Sequence, residues 1–322
     1  MKNLYFKLRQ KLLINALTHA MPGVVKPFVL CYHQIDTGEV DAQLTALKKK
    51  FEIVDLSTFI ARLKENRQGA YCTLTLDDCL QKDVAKAEAL WEKHQLPLTL
   101  FLPVRFSLTR AALPGTKVQR LLETRSKFRL NGLEFVATAE NRDAVKNQIH
   151  AHFHPARYKI DEFDKVVKAW FAENSVIEED IISEGDKIIG QDEVVRLAKK
   201  PPFNFQSHTF NHESLGLCSP EEIEFELSES KKVLQQITQK DIMALCYPYG
   251  SKEVIGGKVF SRMPHYYSCG LSLVQGVCSR NTDLYFIPRI GIYPGDDLNR
   301  FWGKIYHYMQ VDSLKALWKK NK

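Results

Sequence analysis

A recurring alternation of short apolar runs with helical patterns is the feature that most constrains this chain. Residues 27–32 (PFVLCY) read as a strand, and 41–50 carry a helical period. Residues 51–56 form a second short strand, after which Ser57 is positioned to cap a helix bearing Phe59, Ile60 and Leu63. Next come Tyr71–Leu76 (YCTLTL), a helix over 84–94, and Leu98–Leu102 (LTLFL) closed by Pro103. The rhythm resumes with a strand at 203–206, a helix at 220–238 and a strand at 242–247; strand-like pieces at 266–270 and 285–290 end the pattern. The 220–238 helix has a strong start signal, with Ser219 as cap, Pro220 in the first turn and Glu222 completing a capping box. The strands are apolar throughout rather than alternating, as expected when both faces of a parallel sheet are covered. Such a chain builds either an α/β barrel or a doubly wound sheet.

Residues 104–202 break the pattern. They contain an Asn131-Gly132 hairpin signal between 128–130 and 133–136. They also contain an amphipathic helix with Phe163, Val166, Val167, Trp170 and Phe171 on one face. About 100 residues are too many for a plain loop. The expected organisation is therefore a barrel-like unit from 1–103 and 203–322, with 104–202 as a mostly helical insertion, a lid or specificity subdomain.

Charged residues make up 26% of the 322 and apolar residues 44%, which excludes disordered, collagenous and coiled-coil readings. No stretch approaches the roughly 20 apolar residues of a membrane helix. The net charge of +7 is spread along the chain, too diffuse for a nucleic-acid footprint, so no nucleic-acid partner is expected. Seven cysteines without a CxxC pair, several inside apolar runs, read as buried free thiols of a reducing compartment. The first 21 residues begin like a signal peptide, but Asn15 and His19 interrupt the apolar run and no clean cleavage site follows. The reading is an amphipathic first helix and a cytoplasmic protein. The basic terminal segments, KLRQKLL and SLKALWKKNK, allow peripheral contact with an anionic membrane, although solvated helical faces are the favoured reading.

Polar groups collect just after the strands: His33 after FVLCY, Asp77 and Asp78 after TLTL, His208 after FNFQS, and Pro248-Tyr249-Gly250 after ALCY. In parallel α/β folds this is the face where sites are built. His208 and His212 are four apart and would share one face of a helical turn, able to grip one ion, or else are a capping and a surface histidine. Two adjacent carboxylates repel each other, so Asp77-Asp78 reads as a cation site or an acid/base pair ahead of the alternative, a solvated turn with one Asp capping the 84–94 helix. Two His ligands and one carboxylate are a common catalytic zinc set, which leaves the second carboxylate as a base. His150, His152 and His154 form another close group, but they lie in the insertion without paired carboxylates and read as a polar face.

In these residues the chain resembles the polysaccharide deacetylase family, carbohydrate esterase family 4. The family's first motif, [TS]-F-D-D-G, appears as Thr75-Leu76-Asp77-Asp78-Cys79. The second, a histidine pair, is His208-Thr209-Phe210-Asn211-His212, and the third survives as Tyr247-Pro248-Tyr249-Gly250. The resemblance implies a distorted (β/α)7-type barrel and one divalent ion, zinc foremost with cobalt or nickel as alternatives. It makes Asp78, His208 and His212 the ligands and Asp77 the general base, with Pro248 and Tyr249 at the oxyanion. The catalytic acid, a histidine on a late strand in much of the family, is matched better by His33 than by His307. That placement resembles the permuted branch, in which this residue comes first. Two departures stand out: Cys79 replaces the motif glycine, and the third motif lacks its arginine, for which Arg289 in FIPRIG is the candidate.

By that resemblance the expected activity is metal-dependent removal of an N-acetyl or other N-acyl group from an amino sugar. The expected context is a cytoplasmic, nucleotide- or lipid-linked precursor of a bacterial surface polysaccharide. Two alternatives use the same residues: an amidohydrolase for a non-sugar amide, and a non-catalytic glycan-binding protein motivated by Cys79 and the missing arginine.

Overall fold

The computed structural model describes residues 25–320 except 68, 139 and 154–158; the expected N-terminal helix, within 1–24, lies outside the described residues. Among them the strands are, in chain order, β1 (Phe28–Tyr32), β2 (Glu52–Ile53), β3 (Tyr71–Leu76), β4 (Leu98–Leu102), β5 (Lys127–Leu130), β6 (Leu133–Val136), β7 (Phe203–Ser207), β8 (Ala244–Cys246), β9 (Cys269–Gln275) and β10 (Ile287–Gly291). Seven of them close a parallel ring, β1-β3-β4-β7-β8-β9-β10, with β10 returning to pair with β1. The fold is thus a seven-stranded (β/α) barrel rather than a doubly wound sheet. β2 pairs only with the start of β3, outside the ring.

Alternation along the strands sorts the side chains. Val29, Phe101, Ala244, Cys246, Cys269, Leu271 and Ile287 share one buried cluster with Leu56, Phe59, Ile60 and Leu63 of helix Leu56–Lys64. That helix plugs the barrel at the N-terminal ends of the strands. The opposite strand faces, including Leu30, Tyr32, Leu74, Leu100 and Phe205, pack against the outer helices in the main core. Burying each such side chain stabilises the fold by about 1.5–3 kcal/mol.

Local chemistry shifts several expected boundaries. The 51–56 strand shrinks to β2, because Leu56 already begins a helix whose cap is Asp55, not Ser57: the Asp55 carboxylate accepts the Thr58 N–H at 2.9 Å. The first helix starts earlier than expected, at Thr37, where Asp36 caps the Glu39 N–H at 3.0 Å. Residues 263–266 form a helical turn with Pro264 in its first turn, so β9 begins only at Cys269. Helix Pro220–Thr238 carries the expected cap and capping box.

The segment after β4 has its own apolar core. Helices Pro114–Thr124, Arg142–Phe153 and Ile160–Glu173 enclose Leu121, Phe128, Ile149, Phe153, Val167 and Trp170. The β5–β6 hairpin turns at Asn131 and Gly132, both with positive φ, and the Trp170 indole N–H donates to the Arg129 carbonyl at 2.7 Å. Helix Gln191–Ala198 belongs to the barrel's packing instead, since Val194, Leu197 and Ala198 lie in the main core. No helix among the described residues is long and apolar enough to cross a membrane.

Candidate metal and catalytic centre

Each chemical group sits where a strand ends or is about to. Asp77 follows β3 and is fully buried; Arg289, also fully buried, reaches it from β10 across the closed ring. The guanidinium spends all five N–H groups: Nη1 on Asp77 Oδ1 at 2.8 Å and Thr75 Oγ1 at 3.1 Å, Nη2 on Asp77 Oδ2 at 2.7 Å and Cys246 Sγ at 3.0 Å, and Nε on the Ser272 carbonyl at 2.8 Å. Burial alone would raise the Asp77 pKa, but the Arg289 charge outweighs it and holds the carboxyl well below the usual range. His33, just beyond β1 and partly exposed, places Nε2 at 3.7 Å from Asp77 Oδ2. The Cys31 and Cys246 thiols lie 3.5 and 3.3 Å from the same oxygen, and burial pushes both thiol pKa values up, so they face it as neutral donors.

Asp78 turns the other way. His208 Nε2 and His212 Nε2 lie 3.4 and 3.3 Å from its Oδ1. His208 Nδ1 is 2.8 Å from the Cys246 carbonyl, which only accepts; Nδ1 therefore carries the proton and Nε2 turns a lone pair toward Asp78. His212 is held edge-to-face between the rings of His208 and Tyr249, at 4.8 and 5.4 Å. Burial lowers its pKa, and despite the opposing pull of Asp78 the ring stays in its neutral, ligating form. Donors on one tetrahedral ion with bonds of 2.0–2.1 Å stand about 3.4 Å apart, so this set fits a zinc-like ion. Two other groupings, Cys31-His33-Asp77 and Asp77-His208-Cys246, also bring ligand types together, but both share Asp77 with the Arg289 charge, which opposes a cation there.

The backbone that aims these groups is unusual. Asp78 and Cys79 both have positive φ, 65° and 60°, and the Cys79 N–H closes a tight turn on the Asp77 carbonyl at 2.7 Å. Cys79 thus occupies the left-handed conformation without being glycine, with its thiol buried 3.3 Å from the Phe101 carbonyl. After β8, Tyr249 and Gly250 also have positive φ; a Cβ on Gly250 would fall 2.4 Å from the Leu273 nitrogen. Pro248 is buried, and Tyr249 is half-buried beside His212.

His33, Asp77, Asp78, His208, His212, Pro248, Tyr249 and Arg289 therefore converge on the C-terminal face of the barrel. One expectation is corrected: His208 and His212 do not share a helical turn. They lie on an irregular loop in which Thr209 and His212 both have positive φ, and the loop folds both rings onto Asp78. His307 is exposed on helix Leu298–Lys320 and belongs to none of the groups of potential ligands among the described residues. In the other histidine group, His152 is exposed on helix Arg142–Phe153 and His154 lies outside the described residues.

Sequence reading missed several supporting residues. Cys31, Thr75, Cys246 and Ser272 surround the Asp77–Arg289 pair, and strand alternation with Asp77 and Arg289 was the available signal. Glu226, only 2% exposed on helix Pro220–Thr238, accepts the Phe210 and Asn211 N–H groups at 2.9 and 2.8 Å and so holds the histidine loop. A lone acid on the buried stripe of that helix was its signal.

The family model described as polysaccharide deacetylase matches residues 145–266, a span containing His208, His212 and Tyr249. No curated protein sequence matches the chain. Among solved structures, a polysaccharide deacetylase from Bacillus cereus is 17% identical with a TM-score of 0.56, over 88% of this chain and 69% of the other. IcaB from Ammonifex degensii is 14% identical with a TM-score of 0.56, over 89% and 98%. The Streptococcus pyogenes deacetylase PplD is 14% identical with a TM-score of 0.52, over 88% and 99%. The chain thus shares its barrel fold with these solved deacetylases, and the stretch that the polysaccharide deacetylase model matches is the one carrying the histidine pair.

Proposed function

We propose that this protein removes an N-acetyl group from an amino sugar with the help of one divalent ion, zinc in the first instance, held by Asp78, His208 and His212. The observation that carries the reading is the pairing of two Nε2 atoms 3.3–3.4 Å from Asp78 Oδ1 with an arginine-clamped Asp77 and an accessible His33 beside it. Bound there, such an ion polarises a carbonyl and lowers the pKa of its water toward about 7.

The remaining steps belong to the chain's own groups. Asp77, kept ionised by Arg289, takes the proton of the attacking water as general base. Its Oδ1, hydrogen-bonded in the structure by Arg289, keeps a lone pair for that proton. The Tyr249 backbone N–H, presented by the positive-φ turn after β8, faces the developing oxyanion. His33 as imidazolium protonates the departing amine. Each proton-transfer partner is worth about 10²–10⁴-fold in rate.

Support for the sugar as substrate comes from the family grouping and from solved structures described as deacetylases. The net charge of +7 favours an anionic carrier, a nucleotide- or lipid-linked precursor of a surface polysaccharide handled in the cytoplasm. In this reading 104–202 is a specificity subdomain attached to the barrel, and the basic termini allow peripheral contact with an anionic membrane. Neither departure from the family motifs argues for a non-catalytic protein, since Cys79 completes the turn and Arg289 clamps Asp77.

The test combines elemental analysis with acetate release from N-acetylglucosamine oligomers, for the wild type and Asp78→Asn. About one metal per chain, lost with activity in the variant, is expected. A wild type that takes up no metal, or that is fully metallated and releases no acetate from any acetylated amino sugar, sinks the proposal.

A further inference from the structure

The β1–β10 register carries the site one residue beyond its known groups. Cys31 is level with Gly291, and the pairing continues past the strand ends, with the Ile292 N–H donating to the Cys31 carbonyl at 2.9 Å. Carried two residues further, the same register sets His33 level with Tyr293. Side chains two apart along a strand point the same way. Arg289 points into the barrel at Asp77, so Gly291 and Tyr293 follow it on the inner, site-facing side, as His33 follows Cys31.

Tyr293 is held in place, yet it is left open. A Cβ on Gly291 would fall 2.8 Å from the Tyr293 hydroxyl oxygen and 3.1 Å from Cζ, so the ring lies back across the one residue of that row lacking a side chain. Its own N–H is tied to Asp296 Oδ2 at 2.8 Å. The Lys304 ammonium sits 4.6 Å from the ring centroid while donating to the Gly291 carbonyl at 3.1 Å, which fixes the tilt of the ring. Even so, Tyr293 is 52% exposed. An aromatic ring anchored from behind at the mouth of a polar site, with much of its surface open, is suited to the apolar C–H face of a pyranose.

We propose that Tyr293 is a substrate-binding residue: its ring stacks against the sugar that carries, or adjoins, the reacting amide. This rests on the deacetylase reading above. Tyr293 adds ground-state and transition-state binding equally, so its loss acts on KM and spares kcat. Its hydroxyl takes no part in the chemistry.

The experiment measures acetate release from N-acetylglucosamine pentamer by the metal-loaded wild type and by Tyr293→Ala, Tyr293→Leu, Tyr293→Phe and Tyr293→Trp, with the Tm of each. The expected result is a roughly tenfold higher KM for the Ala and Leu variants at unchanged kcat and Tm, with Phe and Trp near wild type. Leu keeps bulk without an aromatic face, which separates stacking from packing. Equal KM across all variants overturns the role of Tyr293 and leaves the deacetylase reading intact. A drop in kcat for Tyr293→Phe also overturns it, because the hydroxyl would then be chemical. A metal-loaded wild type inactive on every acetylated amino sugar overturns the underlying reading instead.

Discussion

Replacing Arg289 with methionine tests the centre of the site most directly. The substitution keeps much of the apolar volume and removes a guanidinium whose five N–H groups serve Asp77, Thr75, Ser272 and Cys246. Asp77 is then left fully buried without its counter-charge. Breaking one side of a buried ion pair costs about 3–5 kcal/mol, about a fifth or more of the stability of an ordinary domain. The pH dependence gives an independent sign. In the wild type the folded-state pKa of Asp77 is depressed, so its contribution is fully present above the unfolded value of about 3.9 and is lost only as pH falls through the folded one. In Arg289→Met the burial that raises the pKa has lost its main opponent. A group raised in the folded state stabilises below the unfolded pKa and loses that contribution as pH climbs through the folded one. Urea denaturation between pH 5 and pH 8 should therefore show the variant losing stability toward pH 8, a slope absent from the wild-type pair over that window. The double variant Asp77→Asn/Arg289→Met, with neither charge, should recover most of the loss. Refutation would come from a double variant no more stable than the single one, or from a single variant within about 1 kcal/mol of wild type at pH 8.

Three further outcomes follow from other parts of the structure. Glu226→Gln leaves the histidine loop with an amide where a carboxylate accepts two backbone N–H groups, and should weaken zinc affinity about tenfold or more in competition titrations while the chain stays folded. Gly250→Ala forces a Cβ to 2.4 Å from the Leu273 nitrogen at a φ of 46°, so thermal unfolding should register a loss of about 1–3 kcal/mol. Glu88, its pKa pulled down to about 2 chiefly by the hydrogen bond from Arg196 with Lys200 adding to it, is a surface anchor. Glu88→Gln should cost about 1 kcal/mol at pH 7 after solvent screening, with the difference fading as pH falls from about 4.5 toward 2. A deficit that persists at pH 2 would mean that packing, not charge, is lost.

Much of the barrel was legible in order because its signals are local. Strands apolar on both faces, the Asn131-Gly132 turn and the Ser219–Glu222 capping box each depend on neighbours a few residues away. Adjacent carboxylates after a buried strand declared themselves for the same reason. Arg289 was visible as a cation in an apolar run, but its place opposite Asp77, 212 residues distant, exists only because the ring closes through β1. The four-residue spacing of His208 and His212 suggested a helix. The loop instead uses two positive-φ residues and the Glu226 carboxylate, contributed by the following helix, to fold both rings onto Asp78. Tyr293 gave no sign at all in sequence: its level with His33 follows from the β1–β10 register, and the lie of its ring from a glycine two residues before it. Sequence alone determined which residues are buried, capped or charged, since those preferences act over a few residues. The tertiary structure decided which of them meet, because ring closure and strand register set distances that no local spacing encodes.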